Sequence, residues 1–163
     1  AEFQFRFLKN NTRKFLNDVR SDYINEIIKP MILKKAVDLV SQHKEVGDRL
    51  LIITATNSFI TKPIGELFGI DELIGTEPEE NEGEFTGKVK GNPSFKEGKV
   101  TRLFNWLDEK NLKLSDFEKT FFYSDSHNDL ALLEVVTNPV VVNGDKILLE
   151  KAQEKNWPTL NLK

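Results

Sequence analysis

The amino-acid sequence predicts an α/β fold built on a doubly wound parallel sheet, and three observations carry that expectation. Short apolar runs recur at residues 50–53, 121–123 and 140–142. Segments with apolar residues at three- and four-residue spacing lie before and between them. The last third of the chain alternates the two patterns, and strands alternating with helices at this spacing pack as a parallel sheet covered by helices.

The elements follow in order. Phe15, Val19, Tyr23 and Ile27, with Leu16, Ile24 and Ile28 beside them, predict an amphipathic helix over residues 15–28 that Pro30 ends. Ile32, Ala36, Leu39 and Val40 repeat the pattern over 31–43, and Gly47 is placed to close that helix in a left-handed cap. The unbroken run Leu50, Leu51, Ile52, Ile53 before Thr54 predicts a strand buried on both faces. A helix follows over 59–68, with Pro63 tolerable near its start and Gly69 at its end. The five glutamates between Glu77 and Glu84 read as a solvated loop, and the alternation Phe85-Thr86-Gly87-Lys88-Val89-Lys90 as an exposed antiparallel ribbon. Beyond it come a helix over 99–109, a strand over 120–123, a helix over 129–136, a strand over 140–142, a helix over 145–155 and an extended piece over 159–162.

Composition bounds the function. A chain of 163 residues and 18.7 kDa is one domain's worth of sequence, with a possible small insertion. Lys and Arg number 23 against 26 Asp and Glu, and no basic block stands out, so nucleic acid is not an expected partner. The lack of cysteine excludes a disulfide framework, a thiolate metal site and a cysteine nucleophile, and agrees with a reducing, cytoplasmic compartment. The longest apolar runs fall far short of the roughly 18 residues that span a bilayer, so no membrane association is expected. The chain opens with Ala1 and its first residues have no signal-peptide pattern, so processing or an upstream piece is expected to account for that start.

Ligands of open α/β sheets bind beyond the carboxyl ends of the strands, and two segments qualify. In Thr54-Ala55-Thr56-Asn57 an apolar strand stops at hydroxyl and amide side chains and a helix begins, an arrangement that serves an anion or an ordinary helix cap. In Tyr123-Ser124-Asp125-Ser126-His127-Asn128-Asp129 a strand delivers two carboxylates, an amide and two hydroxyls. A helix needs one capping acid. Asp125 precedes the helix and Asp129 falls in its first turn, close enough to share a divalent cation, and hard oxygen ligands favour Mg²⁺ over zinc. His127 reads as a loop residue, since metal-binding histidines come in groups and His43 lies on a distant helix. Lys99 opens a helix against the favourable direction of its dipole, with Lys96 as the rival cation.

Read together, Leu50-Leu51-Ile52-Ile53-Thr54-Ala55-Thr56-Asn57, Glu97-Gly98-Lys99-Val100 and Tyr123-Ser124-Asp125-Ser126-His127-Asn128-Asp129-Leu130 resemble the second, third and fourth motifs of the haloacid dehalogenase superfamily, nearest its phosphoserine phosphatase-like branch. The resemblance implies that family's Rossmann-like core, residues 47–163, with a small β-ribbon insertion near 73–92 and the remainder of a helical cap over 1–46. It implies a Mg²⁺-dependent phosphatase acting on a small phosphorylated metabolite through an aspartyl-phosphate. Thr54 and Ala55 would hold the phosphoryl group, and Lys99 would neutralise it. Asp125 would ligate Mg²⁺, Asp129 would support Lys99 and the metal, and Asn128 would lie beside the phosphate.

The family's first motif, a strand ending in Asp-x-Asp-x-Thr or Val, supplies the aspartate nucleophile and should precede Thr54. Asp18, Asp22, Asp38 and Asp48 are the acids there, and none follows an apolar strand. The chain is therefore expected to be a fragment of a larger enzyme, inactive without an N-terminal segment whose strand would lie between those ending at Thr54 and Tyr123. Two other readings compete. The segment from Asp125 to Asp129 also resembles the hinge of P-type ion pumps, which need transmembrane helices, and a non-catalytic binding or regulatory domain could keep the fold without the nucleophile.

Overall fold

Apolar and polar periodicity resolve into two three-stranded sheets, one in each of two units of the chain, the first ending at Ser94 and the second running Phe95–Lys163. The computed structural model describes residues 2–163. Among these no helix is long and apolar enough to cross a membrane.

The first unit opens with α1 (Glu2–Lys9), a helix beyond those expected from periodicity, which seats Phe5 and Leu8 in the core. Thr12 caps α2 (Arg13–Tyr23) by accepting the Phe15 N–H at 3.2 Å. The helical course does not stop before Pro30 as expected. It widens into a π-helical turn (Ile24–Ile28), passes through α3 (Lys29–Met31), and resumes as α4 (Lys34–Glu45), which Gly47 closes with φ of +82°. Proline has no N–H to give and crowds the carbonyl four residues back. The wider turn, in which Lys29 N–H reaches Ile24 O, lets the chain continue past it.

β1 (Ile52–Asn57) lies parallel to β2 (Leu73–Asn81), which pairs antiparallel with β3 (Glu84–Lys90), while α5 (Ser58–Leu67) joins β1 to β2. β1 is half-buried, not buried throughout as a strand covered on both faces would be, and it pairs with β2 alone among the described residues. The acidic run is a hairpin and not a loop. Glu82 and Gly83, with φ of +51° and +82°, form its tight turn, and the glutamates are used as acceptors. Glu80 takes both terminal nitrogens of Arg13, Glu84 takes the Arg13 N–H, Glu77 takes Ser58 O–H and Glu79 takes Thr86 O–H. Partners on α2, α5 and β3 therefore hold these acids in strands that composition alone assigns to solvent.

Phe5, Leu8, Leu16, Phe59 and Phe85 form this unit's core, and two arginines of α2 seal it. Arg13 lies 4.2 Å from the Phe85 ring centre and Arg20 4.2 Å from that of Phe59. Burial, with the nearby Arg13 charge, holds the Arg20 guanidinium below its ordinary pKa. Its position has a backbone cause. Pro63 lies inside α5 and cannot donate to the carbonyl four residues back, that of Phe59, so Arg20 Nη1 fills the vacant role at 2.9 Å.

In the second unit α6 (Glu97–Glu109) precedes three parallel strands, β4 (Phe121–Ser124), β5 (Asn138–Val142) and β6 (Thr159–Leu160), in the order β4-β5-β6. β4 pairs with β5 alone among the described residues. The helix expected over 129–136 is shorter, a 3₁₀ turn (His127–Asp129) followed by α7 (Leu130–Leu133). The chain must turn early because Thr137 exchanges hydrogen bonds with Thr120 at the start of β4 and β5. α8 (Lys146–Lys155) packs Leu148 and Ala152 on Val141 and Leu133, with Trp157 and Phe122 at the margin.

The Arg20 contact predicts a coupling. Arg20→Ala strands a buried carbonyl and should lower unfolding free energy by about 1–3 kcal/mol. In a Pro63→Ala background the helix supplies its own N–H and the loss should shrink to less than half. Urea unfolding of the four proteins measures it, and additive losses would show that Pro63 does not govern Arg20.

Candidate functional site

The side chains that carry chemistry in the second unit gather where β4 ends. Ser124 is its last residue, and the chain beyond folds tightly on hydroxyls. Ser126 N–H donates to Ser124 Oγ at 3.1 Å, Asn128 N–H to Ser126 Oγ at 3.2 Å, and Asp129 N–H to the Ser126 carbonyl at 3.0 Å. These bonds return Asp129 to the strand tip, where Ser124 O–H donates to its Oδ2 at 2.6 Å. Its other oxygen, Oδ1, accepts from Lys99 Nζ at 2.6 Å, delivered by the first turn of α6.

Lys99 and Asp129 are each only 7% exposed, so both charges have left water and each is the other's compensation. Removing either would leave an isolated buried charge, typically about 3–5 kcal/mol destabilising. Lys96 differs in kind. It is exposed, its ammonium lies 5.3 Å from the Phe95 ring centre, and it caps α6 at φ +49° and ψ −125°, a backbone region that strains a side-chain-bearing residue.

Asp125 stands apart from this pair. Its carboxylate is exposed and has no side-chain partner among the described residues, while its carbonyl accepts the Asp145 N–H at 2.9 Å. Asp145, expected only as the start of a helix, clamps the loop. Oδ2 accepts from the His127 N–H at 2.8 Å and pairs with Nδ1 of the same residue at 2.9 Å, and Oδ1 caps α8 through Leu148 N–H at 2.8 Å. Burial pushes the Asp145 carboxyl up, but the hydrogen bonds from His127 and Leu148, with the attraction of the His127 ring, outweigh it and hold the group below its ordinary value. No cluster of three His, Asp or Glu side chains that could enclose a metal occurs among the described residues.

In the first unit, Asn57 and not Thr54 is the cap of α5, its Oδ1 accepting the Ile60 N–H at 3.0 Å. Thr54 Oγ1 accepts from Thr56 N–H at 3.2 Å, and Ala55 between them is exposed. Asp18 and Asp22 lie on α2, Asp38 pairs with Lys34 at 2.6 Å and Asp48 with His43 at 2.6 Å, so no aspartate before Thr54 ends a strand. The structure thus joins Lys99 to Asp129 directly, and leaves Asp125 apart from them, tied through its carbonyl to the Asp145 N–H. It adds Ser124 and Asp145, whose signals in the sequence were a hydroxyl ending an apolar strand and an acid at a helix start.

Residues 1–134 match the family described as haloacid dehalogenase-like hydrolase. A histidinol-phosphatase of Neisseria meningitidis serogroup C is 45% identical over 159 residues, 97% of this chain and 70% of that protein. The chain spans about half the length of other curated relatives it matches, such as the phosphoserine phosphatase SerB1 of Mycobacterium tuberculosis, 28% identical over 151 residues. A solved structure of a protein of unknown function from Bordetella pertussis Tohama I superposes with a TM-score of 0.98 at 41% identity, covering 99% of this chain and 73% of that one.

The Asp145 clamp predicts a pH-dependent contribution to stability. Asp145→Ala removes a helix cap and should lower unfolding free energy at neutral pH by about 1 kcal/mol. A carboxyl held below its ordinary pKa of 3.8 contributes fully above that value and loses its contribution as pH falls through the lower folded value. The gap in melting temperature between wild type and variant should therefore narrow below about pH 4. A gap that widens in acid would show that the ionised carboxylate is not what holds the loop.

Proposed function

The chain belongs to the haloacid dehalogenase-like hydrolase family, and we propose on that premise that it is a Mg²⁺-dependent phosphomonoesterase of the phosphoserine phosphatase-like kind, working through an aspartyl-phosphate. The observation that carries this reading is the buried Lys99–Asp129 pair. A desolvated lysine in the first turn of a helix opposes the dipole and is retained at a cost. Its ammonium has three donors and gives one to Asp129, which leaves two for the oxygens of a phosphoryl group.

In this reading Thr54 Oγ1 and the Ala55 N–H hold a phosphoryl oxygen, Lys99 neutralises the transferring group, and the Asn128 amide lies beside it. Ser124 acts through Asp129, fixing the carboxylate that orients Lys99. The attacking aspartate is none of Asp18, Asp22, Asp38 or Asp48, which the first unit commits to helix faces and ion pairs. Residues 1–46 then belong to a helical cap, and 47–163 to the hydrolase core with the ribbon near 73–92 as its insertion.

The donor chemistry fits magnesium. That ion keeps several of its waters and takes one or two carboxylates, not an all-protein cage, and Asp125 presents an exposed, unpaired carboxylate of that kind. Asp125 would hold the ion directly, and Asp129, both of whose oxygens are engaged, would hold one of its waters. When bound, magnesium supplies charge neutralisation at the phosphoryl group. The substrate is a small phosphorylated metabolite. Identity of 45% to a histidinol-phosphatase puts histidinol phosphate first in a substrate panel, ahead of phosphoserine.

Assay of the full-length protein against a phosphomonoester panel, with and without Mg²⁺, tests the proposal. Lys99→Ala should reduce kcat/KM by about 3 kcal/mol, on the order of a hundredfold, while Lys96→Ala stays within about threefold of wild type. The reverse ranking would assign the phosphate charge to Lys96. Asp125→Asn should raise the Mg²⁺ concentration needed for half-maximal activity at least tenfold, and an unchanged Mg²⁺ response would remove Asp125 from the metal site.

A further inference from the structure

The ladder between β1 and β2 is irregular at one place. Ile52 faces Leu73 and Ile53 faces Ile74, but the next pair is Asn57 with Thr76. Three residues of β1, Thr54, Ala55 and Thr56, therefore stand opposite the single Gly75. A bulge of this kind takes the extra residues out of the ladder and re-aims them, and it lifts the segment assigned above to the phosphoryl group.

Backbone released from a ladder needs other partners or it falls back into register. Two neighbouring residues of β2 meet that need. The Thr76 hydroxyl donates to the Ala55 carbonyl at 2.8 Å, in place of a strand amide. Its orientation is set from behind, because Oγ1 accepts the Ser94 N–H at 3.1 Å. Thr76 is 4% exposed and Ser94 fully buried, so the bond between them does not compete with solvent and holds the Thr76 hydroxyl in place at the Ala55 carbonyl. Ser94 Oγ has no hydrogen-bond partner among the described residues, so Ser94 serves this arrangement through its backbone N–H. Gly75 supplies the room. A Cβ there would stand 3.0 Å from Thr56 O and 3.3 Å from Ser58 N and Cα, against the bulged backbone itself.

We propose that Gly75 and Thr76 are positioning residues for phosphate binding: Thr76, locked by Ser94 N–H, holds the Ala55 peptide in the bulge, and Gly75 lets that bulge lie close. The proposal rests on the phosphatase reading for its ligand and on the β1–β2 register for its geometry. Thr76 does not touch the phosphoryl group. It fixes the plane of the peptide between Ala55 and Thr56, whose N–H donates to Thr54 Oγ1 at 3.2 Å, and through that bond and the Ala55 backbone it sets the geometry that the Thr54 hydroxyl and the Ala55 N–H present to an anion.

The experiment uses the full-length protein and the variants Thr76→Val, Thr76→Ser and Gly75→Ala, with Thr86→Val as the control for losing a threonine hydroxyl elsewhere on the same ribbon. The readouts are amide hydrogen exchange over residues 54–57, the Kd for orthophosphate, and kcat and KM for the best phosphomonoester. Thr76→Val and Gly75→Ala should speed exchange at 54–57 and weaken orthophosphate binding, each at least tenfold. Thr76→Ser, which keeps the hydroxyl, should restore both to within about twofold, and Thr86→Val should leave both unchanged. The proposal is overturned if Thr76→Val keeps wild-type exchange and orthophosphate affinity, or if Thr76→Ser is as damaged as Thr76→Val. A wild-type protein that neither binds orthophosphate nor hydrolyses any phosphomonoester overturns the phosphatase reading and the phosphate role of Thr76 with it. In that event the exchange rates still report whether Thr76 holds the bulge.

Discussion

Backbone donors and acceptors that lose their regular partners need others, and this requirement shapes both units. Pro63 cannot satisfy the Phe59 carbonyl, and Arg20 does. The bulge in β1 takes the Ala55 carbonyl out of the ladder, and the Thr76 hydroxyl replaces the strand amide. His127 opens the 3₁₀ turn after β4, so its N–H has no partner within the turn, and Asp145 receives it. In each case a polar side chain far away in sequence is committed to one geometry by a backbone irregularity. That commitment carries α2 onto α5, holds β1 and β2 in a shifted register, and fixes the loop after β4 to α8.

The Lys99–Asp129 pair belongs to a different class from the surface pairs around it. Lys34 with Asp38 and Lys151 with Glu154 are solvated neighbours on their helices, and such pairs contribute about 0–1 kcal/mol. Lys99 and Asp129 give up hydration on both sides, and a third group, Ser124, closes the remaining carboxylate oxygen. An apolar pair of similar volume would serve stability as well or better. A charged arrangement in its place is intelligible as chemistry: a rigid ammonium with donors to spare, held by a carboxylate that cannot turn away.

The acidic hairpin shows where reading by composition fails. Five glutamates within one short stretch look like solvent-facing loop, and most such runs are. Here Arg13, Ser58 and Thr86 each take one or more of them, and the positive φ values at Glu82 and Gly83 close a two-residue turn. The apolar alternation carrying the strand sits on Ile74 and Phe85, and the glutamates occupy positions whose partners come from α2, α5 and β3. The π-helical passage before Pro30 is similar. Proline marks a break in helical hydrogen bonding, but whether the chain stops or widens there depends on what the following segment packs against.

Chemistry written into neighbouring residues was legible from the sequence alone: the α/β class from alternating periodicities, the candidates Thr54, Asp125 and Asp129 from residue types at strand ends, and Ala55, Lys99 and Asn128 from the resemblance of their segments to haloacid dehalogenase motifs. The buried state of Lys99, the exposed state of Lys96, and the parts played by Ser124, Asp145, Gly75, Thr76 and Arg20 were decided only by tertiary structure. The reason is physical. A strand or helix announces itself through a period of two or 3.6 residues within its own segment. A hydrogen bond between Thr76 and Ala55, or an ion pair between Lys99 and Asp129, depends on strand register and on loop closure across tens of residues, and neither leaves a periodic trace.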